Sequence, residues 1–122
     1  MRYLVLPLLA LTLSGCFDNA KKLDEFRVLD SNSGVHYAVI AKADVNKKTA
    51  IGDASGVFCE EVNRKLPAPQ NCVVMVWSEI EAVPNGIDIS DESRRALRAI
   101  YTQKVGEPKG EIALVKDGAQ VP

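Results

Sequence analysis

CVVMVW, residues 72–77, is the stretch on which the fold turns. Its apolar run has no polar break and is too short for a buried helix, so it reads as a central strand covered on both faces. Upstream, a helical pattern over residues 49–66 is stopped by Pro67 and Pro69. Ile51, Ala54, Val57, Phe58, Val62 and Leu66 recur there at helical spacing, and Thr49 serves as N-cap. Gly52 and Gly56 weaken its first turns by about 1 kcal/mol each relative to Ala, which close packing against a sheet would explain. Downstream, residues 79–83 extend the strand before Pro84-Asn85-Gly86 turns the chain.

The second helix is predicted over residues 90–104, SDESRRALRAIYTQK. Ser90 is a good N-cap, and Asp91 and Glu92 suit the positive end of a helix. Ala96, Leu97, Ile100 and Tyr101 supply its apolar stripe, and Gly106 and Pro108 end it. Further strands are expected at Phe26–Leu29, at His36–Ala41 after the turn cluster SNSG, and at Glu111–Lys116. The order is strand, strand, helix, strand, helix, strand. Each helix has one apolar stripe to bury. The economical arrangement is a two-layer α+β sandwich, about four strands with both helices on one face. The unit from Cys72 to Glu111 is then a right-handed parallel crossover. One domain is expected over residues 26–118.

The chain has 122 residues, 47% apolar and 25% charged, ordinary values for one globular domain. A net charge of −1 argues against a nucleic-acid partner, which needs a Lys/Arg excess. No stretch reaches the roughly 18 apolar residues of a membrane-spanning helix.

The first 15 residues have a different character. Met1-Arg2 is a short positive start, and Tyr3–Leu13 is an apolar core of signal-peptide length. Ser14-Gly15 supplies the small residues a peptidase needs, and Cys16 follows. Leu13-Ser14-Gly15-Cys16 resembles the lipobox of bacterial lipoproteins. That resemblance implies cleavage before Cys16, a diacylglyceryl thioether on its sulfur, and acylation (palmitate, for example) of the new amino end. Residues 16–25 then form a lipidated tether. Phe17, rather than Asp, follows the cysteine, which by analogy favours the outer membrane facing the periplasm.

In such an oxidising compartment the two remaining cysteines, Cys59 and Cys72, are expected to form a disulfide. It would join the first helix to the strand it packs on, which suits the roughly 4.4–6.8 Å between bridged Cα atoms. The competing readings fit less well: a redox pair favours C-x-x-C spacing, and a metal site needs about four ligands. Cys59, Cys72, Trp77 and Tyr101 also loosely resemble a pattern in small exported bacterial domains of unassigned function, which implies no activity.

Chemistry-bearing patterns are sparse. His36 is the one histidine and lacks a sequence-local partner, so a surface or strand-edge position is expected. Ser55 sits in GDASG, but the nucleophile elbow is G-x-S-x-G. Glu79 and Glu81 would share a strand face, as solvated edge charges or as a carboxylate pair. Trp77 is expected in the core, with a binding hot spot as the other reading. The expectation is a non-enzymatic module without cofactor or metal, anchored through Cys16 and binding or inhibiting another envelope protein. The alternative is an accessory subunit of an envelope secretion or conjugation machine.

Overall fold

A computed structural model describes residues 22–121. The expected signal peptide, the expected lipidation site Cys16 and most of the expected tether therefore lie outside the described residues. The elements are β1 (Phe26–Asn32), β2 (Val35–Ile40), α1 (Lys48–Arg64), β3 (Cys72–Trp77), α2 (Asp91–Ala96), β4 (Leu97–Gln103), β5 (Glu111–Lys116) and β6 (Ala119–Gln120). Two short 3-10 helices, Lys42–Asp44 and Ile80–Ala82, follow β2 and β3.

The class is α+β, built on a six-stranded mixed sheet whose spatial order follows the chain, β1 to β6. Only β2 and β3 run parallel; every other neighbouring pair is antiparallel. The one crossover is therefore β2–α1–β3. The expected crossover from Cys72 to Glu111 is absent, because residues 97–103 form β4, which lies between β3 and β5 and runs antiparallel to both.

The largest correction concerns residues 90–104. The helix stops at Ala96, and Leu97 begins a strand. Ala99 and Tyr101 are buried and alternate with the less buried Arg98, Ile100 and Thr102, the period of a strand. Leu97, Ile100 and Tyr101 also match a helical stripe, so the sequence is compatible with both periods. Pairing with β3 on one side and β5 on the other decides for the strand. With β4 and the short β6, the sheet has six strands rather than four.

The helices also lie on opposite faces rather than on one. Val74, Val76, Ala99 and Tyr101 share a core with Ile51 and Cys59 of α1. Trp77, Tyr37 and Leu97 form a second core with Ala96 of α2 and with Ala82 and Val83. Consecutive residues of a strand point to opposite faces, so Val76 and Trp77 mark the two sides. A register shift between Val76 and Trp77 puts Leu97 on the Trp77 side while Ala99 stays on the other.

Smaller differences have local causes. α1 begins at Lys48, with no side-chain cap, so Thr49 is its second residue and not its N-cap. Val57 faces outward, and Ala50, Ile51, Ser55 and Cys59 are the buried set. Residues 79–83 form a 3-10 turn instead of extending β3, so Glu79 and Glu81 do not share a strand face. β1 runs to Asn32, and only Ser33 and Gly34 turn, with φ of 51° and 85°. Positive φ at both positions is the type I′ hairpin. A Cβ on Gly34 would meet the Asn71 carbonyl oxygen at 2.7 Å.

Candidate functional site

A groove of about 700 Å³ lies between α1 and the loop joining β4 to β5. Its floor is Gly52, Gly56, Tyr101 and Ile112. The glycines let the helix come close. A Cβ on Gly52 would meet Ile112 at 3.2 Å, and one on Gly56 would meet the Tyr101 hydroxyl at 3.0 Å. The Tyr101 hydroxyl donates to Gln103 Oε1 at 2.8 Å and accepts from the Gly110 N–H at 3.0 Å. These bonds hold the 104–110 loop as the second wall.

Val57 on the helix is 63% exposed and Val105 on the loop 51% exposed, and both line the groove. The helix wall carries Asp53 and Glu60; the loop wall carries Lys104, Glu107 and Lys109. The floor is thus apolar and the walls are charged. The groove contains no histidine or cysteine, and the Tyr101 hydroxyl is committed to its two bonds. Among the described residues, no group of three or more His, Cys, Asp or Glu side chains is placed to hold a metal ion.

Of the residues singled out in sequence, Gly52, Gly56 and Tyr101 line this groove, whereas Cys59, Cys72, Trp77, His36 and Ser55 do not. Cys59 and Cys72 form a disulfide with Cα atoms 5.9 Å apart, joining α1 to the start of β3. Trp77 is fully buried, its indole N–H donating to the Ser93 carbonyl at 2.8 Å, so it offers no surface to a partner. His36 is buried rather than at the surface. Its ring meets Phe58 edge-on at 4.8 Å, and Nδ1 lies 2.7 Å from Ser31 Oγ. Burial holds its pKa below the ordinary histidine value. Ser55 is fully buried within α1. Glu60 and Glu61 are exposed and pair with Arg64.

One polar centre was hidden in KADVNKK, residues 42–48, a stretch that reads as a plain loop. Asp44 is fully buried. Its Oδ2 accepts from the Asp24 N–H at 2.6 Å and from the Glu25 N–H at 3.4 Å. Its Oδ1 faces Lys47 Nζ at 2.8 Å, and the same Nζ donates to the Lys22 carbonyl at 3.0 Å. Burial pushes the Asp44 pKa up, but the Lys47 bond and the two N–H groups outweigh it and hold the carboxyl below its usual range. Leu23 packs on the first core. Residues 22–25 are thus strapped to the domain. The Asp44–Lys47 spacing, with Ala43 and Val45 on either side of the aspartate, is the available signal.

No protein-family model, curated protein or solved structure matches this chain. The site is therefore interpreted from its own chemistry.

Proposed function

We propose that this protein is a lipid-anchored module of the bacterial envelope that binds or inhibits another envelope protein without catalysing a reaction. The observation that carries the reading is Leu13-Ser14-Gly15-Cys16 at the end of an apolar run that opens with Met1-Arg2. The Cys59–Cys72 bridge supports it, because disulfides persist in oxidising compartments. Phe17 in place of Asp favours the outer membrane facing the periplasm. Tethering raises local concentration to roughly millimolar, so a weak contact suffices.

The groove is the face this reading assigns to the partner. Exposed Val57 and Val105 flank a floor able to take an apolar segment, with charged walls to set its register. In-cell crosslinking of the lipidated protein, followed by mass spectrometry, tests the reading. One abundant envelope protein should be captured, and it should be lost in Cys16→Ser and in Val57→Asp. Stable co-purification with a large assembly would instead favour the accessory-subunit function. Full biological activity of Cys16→Ser at normal expression would rule out a tethered mechanism.

A further inference from the structure

The loop between the 3-10 helix Ile80–Ala82 and α2 carries Pro84-Asn85-Gly86, the one Asn-Gly pair in the chain. Pro84 is buried, whereas Asn85, Gly86, Ile87 and Asp88 are exposed. The Tyr37 hydroxyl donates to the Gly86 carbonyl at 2.8 Å. That bond uses the oxygen of Gly86 and leaves its nitrogen free. Among the described residues, neither the Gly86 N–H nor the Asn85 side chain makes a hydrogen bond.

An asparagine side-chain carbon and the next main-chain nitrogen can close a five-membered ring. Closure is hindered by a Cβ on the following residue and by bonds that hold either group in place. Gly86 has no Cβ, and nothing lies within 4 Å of where one would stand. The other asparagines of the domain are each followed by a residue with a side chain. Three of them are also tied down. Asn63 donates to the Gln70 carbonyl and accepts from the Gln70 N–H. Asn71 Oδ1 accepts from the Val105 N–H, and Asn32 Oδ1 accepts from Ser33 Oγ.

We propose that Asn85 is a site of spontaneous covalent modification, converting to aspartate and isoaspartate through a cyclic imide with Gly86, and that the isoaspartyl product releases Tyr37 from the loop. Hydroxide removes the Gly86 N–H proton, and the nitrogen attacks Asn85 Cγ. The new C–N bond forms as the side-chain amide C–N bond breaks, and the leaving nitrogen takes a proton from water and departs as ammonia. Water then opens the ring. Cleavage between Cγ and the Gly86 nitrogen gives aspartate, and cleavage between the main-chain carbonyl carbon and that nitrogen gives isoaspartate. Water is consumed, ammonia is released, and nothing is oxidised or reduced.

The two products differ in consequence. Aspartate adds a charge near Asp88 and leaves the chain length unchanged. Isoaspartate routes the main chain through Cβ and Cγ, which inserts one carbon, about 1.5 Å of chain, before Gly86. Buried Pro84 fixes the loop on one side, and the Tyr37 ring, 6% exposed, meets Trp77 edge-on. The Gly86 carbonyl and the Tyr37 hydroxyl cannot both keep their places, and a bond stretched beyond about 3.2 Å is lost. The modification therefore reaches the second core. It depends on neither the lipid anchor nor the groove.

The test incubates the full chain for days at pH 8 and at pH 6 and maps its peptides by mass spectrometry. Synthetic peptides with aspartate or isoaspartate at position 85 serve as elution standards. A gain of one dalton should accumulate at position 85 about tenfold faster than at any other asparagine, and faster at pH 8 than at pH 6. Gly86→Ala places its Cβ in open space, so the fold is kept while the gain slows about tenfold. Equal rates in Gly86→Ala and the wild type would overturn the cyclic route. No gain at position 85 in the folded chain would overturn the site, and a gain there in the urea-unfolded chain alone would identify the order of the loop as the reason. Trp77, the single tryptophan, reports the second claim. The isolated isoaspartyl form should show red-shifted emission and unfold at lower urea. Unchanged emission and midpoint would overturn the release of Tyr37 and leave the site standing.

Discussion

The Trp77 indole N–H donates to the Ser93 carbonyl at 2.8 Å, and both residues are buried. That bond ties the last residue of β3 to the short helix α2 and closes the second face of the sheet over Tyr37 and Leu97. Tyr37 meets the indole edge-on, with ring centroids 5.4 Å apart. Trp77→Phe keeps most of the ring but leaves the Ser93 carbonyl without its donor, and should cost about 1–2 kcal/mol. Trp77→Ala opens a cavity and should cost about 3–5 kcal/mol. Urea denaturation followed by far-UV circular dichroism checks both. Equal losses for the two variants would mean that the bond, not the packing, dominates.

The Cys59–Cys72 bridge closes a loop with a sequence separation of 13. In the chain-entropy treatment a loop of that size is worth about 3 kcal/mol. The double variant Cys59→Ala/Cys72→Ala should unfold at correspondingly lower denaturant. Both sulfurs are buried, at 0% and 1% exposure, so reduction of the native protein should proceed only as fast as the domain opens. Rapid reduction under native conditions would contradict this packing.

Asp44→Asn removes the charge that receives two backbone N–H groups and Lys47. The expected loss is about 2 kcal/mol. Its local signature is more telling. The Asp24 and Glu25 amides should lose hydrogen-exchange protection before the sheet does. Unchanged protection at those two amides would show that Leu23 packing alone holds the strap.

Acid should weaken the domain in two stages. His36 has its folded pKa lowered from 6.5 by burial, so below pH 6.5 the unfolded chain binds the proton more readily and stability falls. The contribution is intact above 6.5. Asp44 also has a lowered folded pKa, so its contribution is intact above the ordinary carboxylate range and is lost as pH falls through and below it. Thermal melting between pH 8 and 5 should show a decline in the wild type that largely disappears in His36→Phe. An equal slope in both would assign the decline to other groups.

The groove shows where reading from sequence stops. Gly52 and Gly56 stand out as helix-weakening residues whose presence implies close packing, and they form the helix side of its floor. The other side is not legible. Tyr101 reads in sequence as part of a helical stripe, and its partner Gly110 lies in a loop with no pattern. Asp44 is equally hidden, because burial of a loop aspartate depends on which backbone N–H groups the fold brings to it.

What the sequence determined by itself is what local physics can specify. CVVMVW has no helical period to satisfy and forms a strand, EIALVK forms one with the predicted bounds, and Pro67 and Pro69 end α1 because proline cannot continue it. The two cysteines meet because helix and strand are joined by a short connection. Tertiary structure alone decided residues 97–103. Leu97, Ile100 and Tyr101 satisfy a helical period and Ala99 and Tyr101 a strand period, so local preference is nearly balanced. Backbone bonding to β3 and β5 on both sides then selects the strand, and with it the face on which α2 must lie.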